Sequence, residues 1–141
     1  MPDTLASGEI LVVDDTAANL KLVSEMLAAQ GYRVRPANSG ELALTTISVK
    51  RPDLVLLDVR MPGMDGYEVC RRLRSDPVTE DLPVIFLSAL GEPEGRSKGF
   101  EAGGSDFVTK PIILEELLVR VRTQLELSYL RKRVAELEAD S

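Results

Sequence analysis

The sequence predicts an α/β protein built on one doubly wound parallel sheet of five strands, and three observations carry that prediction. Short apolar runs recur along the chain with helical stretches between them, an alternation that implies parallel strands, right-handed crossovers and helices on both faces. Leu54-Val55-Leu56-Leu57 has no polar alternation, the mark of a strand covered on both sides in the middle of such a sheet. Four runs close on residues that carry chemistry: Asp14-Asp15, Asp58, Ser88 and Lys110. A 2-1-3-4-5 strand order makes the first and third strands neighbours and puts the topological switch point, where open α/β sheets bind ligands, between their ends.

Ile10-Leu11-Val12-Val13 is the first strand, closed by Asp14-Asp15. Leu20, Val23, Met26 and Leu27 have helical spacing within a first helix from Thr16 to Gln30, and Gly31 stands where a C-cap falls. Arg33-Val34-Arg35-Pro36-Ala37 is short, polar-alternating and interrupted by Pro, so it belongs on an edge. Ser39 caps a second helix that runs through Leu42, Leu44 and Ile47 to about Lys50, with Glu41 suited to its dipole. The central strand ends in Asp58, and the Pro and two Gly of Arg60-Met61-Pro62-Gly63-Met64-Asp65-Gly66 turn the chain over the sheet's edge. A third helix runs from about Tyr67 to Ser75 and stops at Asp76-Pro77. Pro83-Val84-Ile85-Phe86-Leu87 is the fourth strand and ends in Ser88. Past Gly91, Pro93 and Gly95, a weak fourth helix spans about Arg96 to Ala102; its glycines make it the expected mobile element. Asp106-Phe107-Val108-Thr109 is the fifth strand, before Lys110-Pro111, and one long helix runs from Leu114 to the end.

A chain of 141 residues suits one domain, expected over residues 9–124, with a lead at 1–8 and a helical coiled-coil extension or linker at 125–141. The single cysteine, Cys70, allows no internal disulfide and reads as a partly buried thiol. The absence of histidine removes His-based catalysis, histidine metal ligation and any phosphohistidine on this chain. A net charge of -6 argues against a nucleic-acid surface. No run is long enough to cross a membrane, and Met1-Pro2-Asp3-Thr4 lacks a signal-peptide pattern, so a cytoplasmic protein with no membrane partner is expected.

The chemistry lies at the strand ends. Three converging carboxylates repel and raise one another's pKa, a cost that a divalent cation removes. Oxygen donors without His or Cys select a hard ion, and Mg2+ is the expected cofactor. Lys110 and Ser88 suit the oxygens of a phosphoryl group, and Asp58 is then a candidate phosphoryl acceptor. Each residue taken singly has a plainer role as turn, cap, surface charge or, for Phe107, core. Joint placement at four strand ends is what overrides those roles.

Asp14-Asp15 after an apolar strand, Asp58 followed by Met61-Pro62-Gly63-Met64-Asp65-Gly66, Ser88-Ala89 and Lys110-Pro111 together resemble the receiver domain of two-component response regulators, over about Glu9 to Gln124. The resemblance implies a CheY-like fold, related in architecture to flavodoxin, and a phosphorelay role in which a sensor histidine kinase or phosphotransfer protein phosphorylates Asp58. It implies that Asp15 binds Mg2+ directly, that Asp14 helps through water, and that Asp58 and the backbone carbonyl of Arg60 complete the metal site. Ser88 and Lys110 would hold phosphoryl oxygens, and the Lys110-Pro111 bond would be cis. Phe107 corresponds to the aromatic switch residue that turns inward as Ser88 moves toward the phosphate, here without the hydroxyl of the commoner Tyr. Arg60 and Leu90 flank the site and are expected to influence the phosphate's lifetime. The chain is expected to be a signalling domain, limited to self-phosphorylation and autodephosphorylation, with output through the face formed by the fourth helix, fifth strand and fifth helix. A single-domain phosphate shuttle is the first alternative. A Mg2+-dependent phosphohydrolase is disfavoured because haloacid-dehalogenase-like enzymes carry a second Asp two residues after the nucleophile, where this chain has Arg60. A flavin binder is disfavoured by the lack of a Ser/Thr-rich phosphate loop and by the scarcity of aromatic residues.

The last helix carries two stripes. Leu117, Leu118, Val121 and Leu125 share the side expected to pack on the sheet. Leu127, Leu130, Val134 and Leu137 lie nearly opposite with 3-4-3 spacing, a coiled-coil seam that continues backward through Thr123, Arg120, Glu116 and Ile113. The expectation is a parallel homodimer in which the helix leaves the domain near Gln124 and the Arg120/Glu116 level supplies polar contacts. The Ala139-Asp140-Ser141 end, without a helix stop, suits a linker to an output domain.

Overall fold

A computed structural model describes residues 8–89 and 93–140. Along the chain run β1 (Glu9–Val13), α1 (Ala17–Ala28), β2 (Arg33–Ala37), α2 (Gly40–Val49), β3 (Leu54–Asp58), α3 (Gly66–Arg74), β4 (Val84–Ser88), α4 (Pro93–Glu101), β5 (Asp106–Thr109) and α5 (Leu114–Ala139). The strands form one parallel sheet in the order β2-β1-β3-β4-β5, as expected. Pro36 sits on the edge strand, where its missing N–H costs no ladder bond.

Successive residues of each strand feed two cores. Leu11, Val13, Val55, Leu57 and Phe86 face α2 and α3 through Ala43, Ile47, Val69 and Leu73. Ile10, Val12, Leu54, Leu56 and Ile85 face α1 and α5 through Val23, Leu27, Leu117 and Val121. Burial on both sides is why the central strands read as unbroken apolar runs.

Element ends depart from expectation where local chemistry intervenes. Thr16 is the N-cap of α1, which ends at Ala28, short of Gln30, and Gly31 (φ 96°) makes the left-handed exit. Ser39 caps α2 as expected, accepting from the Leu42 N–H. α3 begins one residue early because Asp65 is its N-cap, accepting from the Glu68 N–H at 2.9 Å. α4 starts at Pro93 rather than near Arg96, since proline suits a first helical turn. Cys70 is fully buried, not partly, and burial pushes its thiol pKa up. Residues 1–7 of the lead, Leu90 and Gly91 lie outside the described residues.

Candidate phosphoryl and metal site

Register brings the acids together. Val13 pairs with Leu57, so the next residues out, Asp14 and Asp58, leave the sheet side by side at its carboxyl edge. Gly66 donates its N–H to the Val59 carbonyl at 2.9 Å, and a Cβ there would collide with the Asp58 carbonyl oxygen. Glycine thus lets the loop after β3 fold tightly against the strand end that carries Asp58.

One oxygen from each of Asp14, Asp15 and Asp58 lies within 4.8 Å of the others. Asp14 and Asp58 are 1% and 6% exposed, and Asp15 is open to solvent. Lys110 Nζ lies 3.2 Å from Asp58 Oδ1 and 3.4 Å from Asp14 Oδ2. The Lys110 N–H donates to the Ser88 carbonyl at 2.7 Å, anchoring the end of β5 to the end of β4. Asp14 Oδ1 is occupied by the Thr16 N–H at 2.9 Å, which orients its carboxylate. One ammonium does not neutralise three carboxylates. Burial first, then Asp14, raise the Asp58 pKa to about 6, while Lys110 pulls it down and Asp15 adds a smaller push upward. This oxygen-only donor set with surplus negative charge fits a hard divalent cation.

Ser88, 7% exposed, ends β4 one residue beyond Leu87, the register partner of Asp58. Arg60 lies exposed two residues after Asp58. The Lys110–Pro111 bond is cis. Phe107 is 2% exposed, turned inward between Phe86 and Phe100 at centroid distances of 5.5 and 5.1 Å. Beside the carboxylates is a cavity of about 160 Å³ lined by Asp14, Asn19, Leu22, Leu87, Lys110 and Ile112. Sequence reasoning missed this wall. Its one signal was Leu22, an apolar residue off the buried stripe of the first helix.

An acid cluster and a lysine at the switch point of a 2-1-3-4-5 sheet define a signalling module of the CheY-like fold. This chain belongs to the response regulator receiver domain family, whose model matches residues 10–122. It is 46% identical over 133 residues to response regulator PleD of Caulobacter vibrioides, covering 92% of this chain and 29% of that protein. It is 43% identical over 116 residues to the DNA-binding dual master transcriptional regulator RpaA of Synechocystis, covering 82% and 48%. The crystal structure of a putative response regulator from Chloroflexus aurantiacus J-10-fl superposes with TM-score 0.83 at 40% identity, over 85% of this chain and 98% of that one. The chain spans less than half the length of these two curated relatives. Receiver domains are signalling domains that bind Mg2+ at an acidic pocket and are phosphorylated by histidine kinases or phosphotransfer proteins.

Proposed function

We propose that this chain is the phosphorylation-controlled receiver of a two-component phosphorelay, with Asp58 as the phosphoryl acceptor. The observation that carries the proposal is Lys110 Nζ lying between Asp58 and Asp14 within a cluster of three carboxylates. With a pKa of about 6, Asp58 is mostly ionised at neutral pH and is a more basic oxygen nucleophile than an ordinary carboxylate. Its oxygen attacks the phosphorus of a donor phosphohistidine. The P–O bond forms as the donor's P–N bond breaks, and the imidazole leaves with the electron pair. Lys110 exchanges its carboxylate contact for a phosphoryl oxygen, and the Ser88 hydroxyl donates to another. Asp14, Asp15, Asp58 and the Arg60 carbonyl would hold Mg2+, which when bound supplies the positive charge that offsets both the carboxylates and the phosphoryl oxygens.

Phe107 answers to Ser88 through adjacent strands, and output runs through α4, β5 and α5. The chain forms a homodimer through the end of α5 and conveys the change to an output domain. No helix among the described residues is long and apolar enough to cross a membrane, which accords with a cytoplasmic module.

Incubation with acetyl phosphate and Mg2+ is expected to label the wild-type chain and not Asp58→Asn. Label persisting on another acid of the variant would overturn the assignment.

A further inference from the structure

The far end of α5 presents an apolar stripe whose flanking charges specify what covers it. Leu127, Leu130, Val134 and Leu137 are 39, 48, 53 and 60% exposed, whereas Leu117, Val121 and Leu125, nearly opposite, are buried. In heptad terms Leu127 and Val134 take a positions and Leu130 and Leu137 take d positions; of the two a residues Val134 is β-branched, the type that with Leu at d suits two strands. Glu126 and Arg133 then stand at g, and Arg131 and Glu138 at e.

In a parallel, in-register pair each g residue meets the e residue five positions on in the other helix. Every such contact here joins an acid to a base: Glu126 meets the second copy's Arg131, and Arg133 meets the second copy's Glu138. Residues five apart on one helix point to opposite flanks and cannot pair with each other. Among the described residues, neither Glu126 nor Arg131 forms an ion pair within its own chain. Arg131 lines a surface cavity together with Arg74, Glu80 and Asp81; among the described residues it is ion-paired to neither acid, and the Arg74 guanidinium is already held by the Gly103 and Leu82 carbonyls.

We infer that the stripe is covered by a second copy of this chain, its α5 parallel and in register, with both Glu126–Arg131 and both Arg133–Glu138 contacts made between copies. The seam closes on its inner side at Arg120, the preceding a position. There the guanidinium is 3.4 Å from Asp106 Oδ2 of its own β5, and two such cations facing each other would repel. Pairing therefore starts at Leu127 and the receivers splay from that level. The apolar seam is only about 15 Å long, so the association is weak and concentration-dependent. The inference rests on the homodimer reading above but not on the chemistry of Asp58.

Sedimentation of the full chain over a wide concentration range tests it, with Glu126→Arg/Arg133→Glu as one variant and Arg131→Glu/Glu138→Arg as the other. Each variant alone is expected to self-associate at least about tenfold more weakly than wild type, because every g–e contact becomes like-charged. An equimolar mixture is expected to regain the dimer as a heterodimer with all four contacts restored. In an antiparallel pair g faces g, so Glu126 would oppose Arg133 before and after the swap. Variants that each dimerise as wild type does would thus overturn the parallel register while leaving a homodimer standing, and a mixture that fails to recover would also overturn it. Leu130→Ser must weaken the wild-type dimer, and an unaffected dimer would remove the stripe as its interface. A wild-type chain monomeric throughout would sink this inference and the homodimer reading together, with labelling of Asp58 still separately measurable.

Discussion

Asp58 keeps its proton up to about pH 6, two units above an ordinary aspartate, because burial and Asp14 outweigh the attraction of Lys110. The sign of the consequence for stability follows from linkage. Between the unfolded pKa near 3.8 and the folded value near 6, the native state binds a proton that the unfolded state does not. Stability from this group is present below the lower value and lost as pH rises through the upper one. In metal-free protein, Asp58→Asn is therefore expected to be more stable than wild type at pH 7.5, by about 1–2 kcal/mol after allowing for solvent screening. The gain should vanish by about pH 4. Urea unfolding at both pH values checks this, and a loss at pH 7.5 would mean that the Lys110 ion pair outweighs burial. The acids and the lysine were legible in the sequence because strand-end placement follows from topology alone. That Phe107 belongs inside was also legible, but its ring neighbours Phe86 and Phe100 and the cavity wall were not, since each depends on a side chain from a distant element coming opposite.

The seat of Phe107 is an agreement between β5 and α4. Its ring lies between Phe86 and Phe100, and space for it exists because residue 99 is glycine. A Cβ at Gly99 would collide with Phe107 Cζ and come within 2.7 Å of Cε1 and 3.1 Å of Phe86 Cδ2. The glycines of α4 suggested only a poor helix in the sequence, whereas in the fold Gly99 is a packing requirement. Gly99→Ala is expected to cost about 1–3 kcal/mol through overpacking, despite the better helix propensity of alanine. A double-mutant cycle with Phe107→Leu by thermal unfolding should show coupling, the leucine substitution costing less in the Gly99→Ala background than in wild type. Additive effects would show that the ring and the helix do not share this space. The early starts of α3 and α4 have a related origin. Asp65 and Pro93 read as turn residues, but the same side-chain acceptor and fixed φ that favour turns also favour helix entry.

Strand order was readable across the whole molecule because buried parallel strands are unbroken apolar runs and the edge strand is marked by Pro36. Where the packed body gives way to free helix was harder to read, since α5 runs through that point without a break in pattern. The expected boundary at Gln124 rested on the first stripe giving way to the second. Leu125 nevertheless remains 6% exposed in the core with Ile10, Val23 and Leu54, and Ser128 is also buried. Leu125 belongs to the stripe expected to pack on the sheet, so its burial agrees with that stripe while lying one residue past the expected boundary, and Ser128 continues the buried face. A chain ending at Gln124 forfeits the burial of Leu125 and is expected to be less stable than one ending at Tyr129 by about 2 kcal/mol. Both lack Leu130, Val134 and Leu137, so both should sediment as monomers. Denaturant unfolding of the two truncations separates folding from association: a stability difference at equal monomeric mass locates the boundary past Leu125. Equal stabilities would instead assign Leu125 to the extension and restore Gln124 as the end of the domain.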